Sequence, residues 1–295
     1  MAITAADIAK LRTSTGAGMM DCKKAMEEAN GDMELAAEIL RKKGILKAAK
    51  RADKIAAEGL TSVEVKGDLA VVVEINSETD FVAKNENFKK LVGEVASHLL
   101  TAKPANLEEA LKQPMTGFAG TVEEYFTNIT ATIGEKISLR RFAVMNKAAD
   151  QAFGAYVHMG GKISVLVILS GTTNADLARE VAMHVAAANP KYVRRDEVDV
   201  SLLKKEEEIY AAQLKAQGKP ENIIANILKG KMEKFYSEIC LLEQPYIKDE
   251  EKTVQKYLDS QGSGITVNKM VRLELGEGIE KKSCDFAAEV AEQMK

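Results

Sequence analysis

The feature that most constrains the fold is an internal duplication. Two regions share one order: an apolar run, a short turn that contains glycine, a second apolar run and then a helical segment. The paired runs occupy residues 60–66 and 69–76 in the first copy, and residues 153–159 and 162–169 in the second. Apolar runs separated by two residues such as Gly67-Asp68 or Gly160-Gly161 are typical of β-hairpins. Each copy is therefore predicted to be a hairpin covered by a helix.

The two copies also agree beyond the hairpins. Each helical segment carries the pattern Val-Ala-x-His, at residues 95–98 and 181–184, and a proline follows each histidine six residues later. Residues 136–145 and 265–275 have the apolar pattern of a third strand for each copy. The sequence therefore predicts an α+β protein whose core consists of two related subdomains with antiparallel sheets and covering helices.

The copies differ where the second strand leads into the helix. Ile75 and His98 are 23 residues apart, whereas Leu169 and His184 are 15 apart, so the first copy holds 8 more residues at this point. The surplus falls around residues 77–87 and contains Phe81. An added segment at such a junction is expected to project from the surface, where binding residues are concentrated. Two alternatives stay open for Phe81: contact with a partner, or packing back onto its own helix.

Helical patterns surround the duplicated core. Residues 1–44 are predicted to form a docking module of three short helices, with Gly44 ending the third. Residues 45–58 are a helix-prone basic linker, either a solvated connector or a contact for an acidic or phosphate-bearing partner. Residues 198–242 indicate an arm of two antiparallel helices, packed chiefly on itself or against a partner. Residues 283–294 predict a last amphipathic helix, which either completes the core or binds a partner.

Composition and motifs argue against several classes of protein. The formal net charge is −3, far from the basic balance of most nucleic-acid-binding domains, so a protein partner is favoured over a direct contact with nucleic acid. No apolar stretch is long enough to span a bilayer and the first residues do not resemble a signal peptide, so we expect no membrane contact and a cytoplasmic location. The three cysteines are too dispersed for a disulfide framework or a zinc knuckle.

Motifs for catalysis and nucleotide binding are missing from the sequence. There is no Walker loop, no dinucleotide fingerprint, no nucleophile elbow and no His-Glu-x-x-His motif. We therefore expect no enzyme activity, no cofactor, no metal and no nucleotide held by this chain. An RNA-associated protein, suggested by the basic linker, and an undetected enzyme stand as the competing hypotheses.

Three signatures, in the same order along the chain, resemble those of bacterial translation elongation factor Ts. They are LRTSTGAGMMDCKKA at residues 11–25, ETDFVAK at residues 78–84 and GEGIEK at residues 276–281, and AMHVA at residues 182–186 fits as well. The resemblance covers essentially the whole chain. It implies a guanine-nucleotide exchange factor for elongation factor Tu, the GTPase that delivers aminoacyl-tRNA to the ribosome.

The resemblance implies a domain organisation with which the periodicity agrees. The expected parts are residues 1–55 for a ubiquitin-associated-like helical domain with the basic linker, 56–147 for the first core subdomain, 148–197 with 243–276 for the second, 198–242 for an inserted antiparallel coiled-coil arm, and 277–295 for a C-terminal helical module.

The resemblance also implies which residues contact the GTPase. In the family the Thr-Asp-Phe-Val segment, here Thr79, Asp80, Phe81 and Val82, enters the GTPase beside its magnesium site. Phe81 is expected to act there as a wedge, and Asp80 to accept hydrogen bonds. Further contacts with elongation factor Tu are expected from Met19, Met20, Ile133, Gly134 and His158.

Overall fold

The structure is a computed structural model that describes residues 3–280. The helices are α1 (Ala5–Thr15), α2 (Met19–Glu28), α3 (Met33–Ala49), α4 (Asp80–Lys84), α5 (Glu86–Ala102), α6 (Leu107–Lys112), α7 (Val122–Ile133), α8 (Ala175–Ala188), α9 (Val200–Ala216), α10 (Glu221–Ile239) and α11 (Val254–Gln261). The strands are β1 (Glu58–Lys66), β2 (Leu69–Ser77), β3 (Ser138–Asn146), β4 (Gln151–His158), β5 (Ile163–Ser170), β6 (Pro245–Tyr246), β7 (Asp249–Thr253) and β8 (Thr266–Glu274). The helix predicted at 283–294 lies outside the described residues. Among the described helices, none is both long and apolar enough to cross a membrane.

The sheets follow the duplicated plan, and the predicted α+β class is correct. One three-stranded sheet has the order β1-β2-β3, another has the order β4-β5-β8, and β6 pairs with β7. The hairpins and both third strands therefore lie where the sequence predicts them. The turn of the second hairpin is longer than the predicted two residues, because β4 pairs with β5 only up to His158 and Ile163. The N–H groups of Gly161 and Lys162 both donate to the carbonyl of His158, which closes a four-residue turn.

The helix of the second copy packs closely on its hairpin. A side chain at Gly154 on β4 would meet the carbonyl oxygen of Ala178 on α8 at 2.0 Å, so only glycine allows the helix backbone to come this near. Val181 and His184 on α8 are fully buried, as are Val165 and Leu169 on β5. This core explains why the pattern Val-Ala-x-His recurs, since in the first copy Val95 and His98 are buried on α5 as well.

The three N-terminal helices form a small core of their own, and their start and stop signals are local. Thr4 and Asp7 form a capping box at α1, Gly16 ends α1 with φ +70°, and Asp32 caps α3. The buried residues shared by the helices are Leu11, Cys22, Ala25, Met26, Ala29, Ala36 and Leu40. A bundle this small buries few large side chains, as expected for a module attached to a larger body.

The prediction that Gly44 ends the third helix is wrong. Helix α3 continues through Gly44 to Ala49. The reason is tertiary: a Cβ atom at Gly44 would lie 3.2 Å from the Cβ of Ala131 on α7, so the glycine allows α3 and α7 to pack closely. Glycine inside a helix costs about 1 kcal/mol relative to alanine, and packing offsets that cost here. The predicted linker therefore begins later, and its first residues belong to α3.

The arm is a pair of helices, α9 and α10, which pack against each other. They have 17 and 19 residues, so each is about 26–29 Å long. Leu214, Ile224 and Met232 are buried, whereas Val200 and Ile209 are exposed. The pair therefore packs substantially on itself, and the coiled-coil form stays a prediction.

The chain divides into two compact units, each made of separate segments. The first combines the residues up to Thr61, Val73–Phe142 and the residues from Glu274. The second combines Ser62–Val72 with Ala143–Leu273. The domain boundaries expected from the sequence stay predictions.

Candidate functional site

The inserted segment of the first copy forms a short helix between β2 and α5. Thr79 precedes α4 in an extended conformation, and its hydroxyl accepts a hydrogen bond from the N–H of Val82 at 3.4 Å. Asn85 ends α4 and also caps α5, because its side-chain oxygen accepts from the N–H of Asn87 at 2.8 Å. Ala83 is buried beneath the turn. The segment is thus a defined turn of helix with caps at both ends.

Phe81 lies on the outer side of this turn and is 81% exposed. The alternative that Phe81 packs back onto its own helix is therefore wrong. An exposed phenylalanine leaves an unusually large apolar surface in water, and burying such a side chain contributes about 1.5–3 kcal/mol. A large apolar side chain held outward on an ordered turn is typical of a residue that contacts a partner.

Asp80 lies beside Phe81 and forms an ion pair along the helix. The ammonium of Lys84 donates to the carboxylate of Asp80 at 2.6 Å. This hydrogen bond, together with the negative charge of Asp80, raises the pKa of Lys84. Both side chains are substantially exposed. The turn therefore presents an aromatic ring next to a carboxylate.

The end of α7 is tied to the same turn. Ile133 is the last residue of α7 and is partly exposed, and Gly134 turns the chain with φ +85°. The next residue, Glu135, accepts hydrogen bonds from the N–H and the hydroxyl of Thr79, at 3.0 and 2.7 Å. The structure thus brings the predicted residues at 79–82 and at 133–134 together in the first unit.

Glu78 makes a second connection between these two segments. Its carboxylate accepts a hydrogen bond from the N–H of Lys136 at 2.6 Å and another from the guanidinium of Arg51 at 3.2 Å. The ammonium of Lys136 donates to the carbonyl of Ala52 at 2.6 Å. Sequence reasoning missed the roles of Glu78 and Glu135, because no local pattern marks side chains that meet residues 27 to 58 positions away.

Met19 and Met20 begin α2 in the same unit, and both are exposed. The turn before them approaches the end of α7: a methyl group at Gly16 would lie 3.8 Å from the hydroxyl of Thr132. This turn, together with α3 and α7, lines a cavity of about 500 Å³. The N-terminal helices therefore lie against the helix that ends at Ile133.

His158 lies in the second unit, at the end of β4. One of its ring nitrogens, Nδ1, is 3.1 Å from the hydroxyl of Tyr156. It is flanked by two exposed apolar residues, Val157 and Met159. Among the predicted contact residues, all of which are described, His158 alone belongs to the second unit, and the others belong to the first.

Two of the four basic residues at 45–58 have carboxylate partners within the chain. The ammonium of Lys47 donates to Asp21 at 2.8 Å, and Arg51 donates to Glu78. These pairings favour a connecting role over a contact with phosphates. Within the described residues, no group of three His, Cys, Asp or Glu side chains is arranged to hold a metal ion.

Comparison with known families identifies the relatives of this chain. The family model described as Elongation factor TS matches residues 78–277, more than half of the chain. The chain belongs to the elongation factor Ts family. The match begins at Glu78, so it includes the turn that carries Phe81, the end of α7 and His158. Met19 and Met20 lie outside the matched range. Membership in the elongation factor Ts family implies nucleotide exchange on elongation factor Tu during translation elongation.

Proposed function

We propose that this chain promotes release of GDP from elongation factor Tu by inserting Phe81 into the region that holds magnesium and phosphate. The observation that carries the proposal is the exposure of Phe81, 81%, on a turn whose backbone is capped and anchored. The family match, which contains this turn, supplies the partner. GTP would then rebind to the emptied site.

The proposed action is displacement, without formation or cleavage of a covalent bond. A GTPase holds GDP through backbone N–H groups around the phosphates and through a magnesium ion that requires near-ideal octahedral geometry at about 2.0–2.1 Å. Displacements of a few tenths of an ångström weaken such a site. Burial of Phe81 between elements of the partner would contribute about 1.5–3 kcal/mol towards holding them apart.

The order of the turn favours this role. A flexible segment would have to be ordered during binding, which costs about 0.5–1.5 kcal/mol for each immobilised side chain. Thr79 and Ala83 already hold α4 in the free chain. More of the free energy of burying Phe81 is therefore available to distort the partner.

Asp80 and the other predicted contacts have supporting roles in the proposal. The carboxylate of Asp80 accepts hydrogen bonds from the partner beside the wedge. Met19, Met20, Ile133 and Gly134 supply further contact surface around α7, and His158 with Val157 supplies another on the second unit.

The proposed mechanism requires reciprocity between the two ligands of the GTPase. If the chain lowers the affinity of elongation factor Tu for GDP by some factor, GDP lowers the affinity of elongation factor Tu for the chain by the same factor. A coupling of about 4 kcal/mol would correspond to roughly a thousandfold change in nucleotide affinity. Either ligand then displaces the other.

The test is rapid mixing of elongation factor Tu, loaded with fluorescent GDP, with this chain and excess unlabelled nucleotide. Acceleration of GDP release at substoichiometric amounts of the chain supports exchange, because one molecule then acts on many. A GDP release rate that stays constant at every concentration of the chain would refute the proposed function.

A further inference from the structure

We propose that Glu135 is a positioning residue for Phe81, an inference that rests on the proposed exchange function and deepens it. Glu135 holds Thr79, and Thr79 begins the single turn of helix that carries Phe81. The carboxylate of Glu135 thereby sets the place and the direction from which Phe81 meets the partner.

Glu135 reaches Thr79 because α7 ends in a left-handed glycine. Gly134 has φ +85°, and its N–H donates to the carbonyl of Thr130 at 2.8 Å. This conformation is strained for a residue with a side chain but not for glycine. The chain therefore turns sharply after Ile133, and the next side chain meets a residue 56 positions earlier.

The carboxylate of Glu135 binds Thr79 at two points. One oxygen accepts the hydroxyl at 2.7 Å and the other accepts the backbone N–H at 3.0 Å. Two bonds to one residue restrict its orientation, whereas a single bond would permit rotation. The same hydroxyl accepts from the N–H of Val82, so the restraint continues into the first turn of α4.

Helix α4 needs this external support. It has five residues, and forming a first helical turn is unfavourable without tertiary contacts. Phe81 provides little packing because it is exposed, and within α4 only Ala83 is buried. The order of the turn therefore depends on its anchors, of which Glu135 holds the residue at the start.

Loss of the Glu135 side chain should leave the surrounding fold in place. Glu78 independently links the same two segments through the N–H of Lys136 and reaches Arg51. Ile137, the next residue, is buried, and its N–H donates to the hydroxyl of Thr130 at 3.1 Å. Glu135→Ala is therefore expected to loosen α4 without detaching α7 from the strand that follows it.

The first measurement is hydrogen exchange in the free, full-length chain. Glu135→Ala should accelerate exchange of the amides at residues 79–85 about tenfold, which corresponds to about 1.4 kcal/mol, while the amides of α7 keep their rates. Glu135→Gln should restore protection, because its amide oxygen accepts from the N–H of Thr79 and its NH₂ donates to the hydroxyl. Glu108→Ala, which removes an exposed carboxylate on α6, is the matched control.

The second measurement is a double-mutant cycle in the GDP-release assay. Glu135→Ala should lower the second-order rate constant of stimulated release about tenfold. In a Phe81→Ala background the same change should lower release by no more than about threefold, because only the smaller contribution of Asp80 is then left to lose. A residue with only a general structural role would lower release equally in both backgrounds.

The outcomes separate this inference from the exchange function. Suppose that the wild-type chain accelerates GDP release. Glu135 does not position Phe81 if the Glu135→Ala variant accelerates release as much as wild type does. The same conclusion follows if Glu135→Ala lowers the rate by the same factor with Phe81 present and with Phe81 replaced by alanine. If the wild-type chain has no effect on GDP release, the exchange function fails, and hydrogen exchange still tests the anchoring of α4. Unchanged exchange at residues 79–85 in Glu135→Ala overturns that anchoring.

Discussion

Replacing Phe81 by alanine should separate the stability of the chain from its proposed exchange activity. The side chain is 81% exposed in the free chain, so its removal should change the free energy of unfolding by no more than about 0.5 kcal/mol. Full burial of a phenylalanine contributes about 1.5–3 kcal/mol, and about four fifths of that, roughly 1.2–2.4 kcal/mol, is still available when the partner binds. Phe81→Ala should therefore lower stimulated GDP release roughly 7- to 50-fold.

Two further variants make this prediction specific. Phe81→Leu keeps much of the apolar surface and should lie between wild type and Phe81→Ala. Phe88, on the following helix, is almost completely buried, so Phe88→Ala should lower the free energy of unfolding by about 3–5 kcal/mol. Stopped-flow release of fluorescent GDP from elongation factor Tu, with urea denaturation of each variant, measures both quantities. Wild-type stimulation by a stably folded Phe81→Ala variant would refute the wedge.

Three other predictions concern Asp80, the methionines of α2 and the buried carboxylate of Glu74. Asp80→Asn should lower stimulated GDP release about threefold, less than Phe81→Ala, and leave stability nearly unchanged because its pair with Lys84 is exposed. The double variant Met19→Ala/Met20→Ala should bind elongation factor Tu more weakly than wild type in a calorimetric titration. Its thermal unfolding should match that of wild type, since both side chains are exposed. If the double variant binds as tightly as wild type, the two methionines do not belong to the interface. Glu74→Gln should lower the free energy of unfolding at pH 7 by about 3–5 kcal/mol, because a fully buried carboxylate loses its charge beside Arg140 and Arg141. Burial alone raises the pKa of Glu74, but the hydrogen bonds from the Gly276 N–H and from both arginines outweigh burial and leave that pKa below its ordinary value. The ionised carboxylate therefore makes its full contribution to the free energy of unfolding above about pH 4.3, and this contribution is lost as the pH falls through the lowered pKa. The difference in the free energy of unfolding between wild type and Glu74→Gln, measured by urea denaturation, should therefore shrink in acid.

The elements that the sequence predicted well are those specified by neighbouring residues. The hairpin around Gly67 requires two apolar runs and a turn, all within twenty residues. The capping box of Thr4 and Asp7 is local as well. The prediction for Gly44 is wrong for the opposite reason: glycine usually ends a helix, and only the nearby Ala131 on α7 explains why α3 continues.

The candidate site divides in the same way. The surplus of residues around Phe81 was visible because the second copy provides an internal standard for length. Whether the ring pointed outward or back onto its helix was not a local question, since it depends on what else covers the turn. The sequence does not mark Glu135 as a site residue, because a glutamate often follows a glycine that ends a helix. Only the contact with Thr79 in the folded chain indicates its role.

The sequence alone determined the duplicated α+β plan, the N-terminal helices, the two helices of the arm and the segment that holds the extra residues around Phe81. The spacing of apolar residues, the helix caps and the turn residues each act over a few positions. The helices, strands and turns that they specify can therefore be derived from the sequence. Only the tertiary structure decided that Phe81 stays exposed, that α3 runs past Gly44, and that Glu135 and Glu78 join the end of α7 to the turn before Phe81. These features depend on contacts between segments far apart in the chain, whose free energies exist only once the chain has folded.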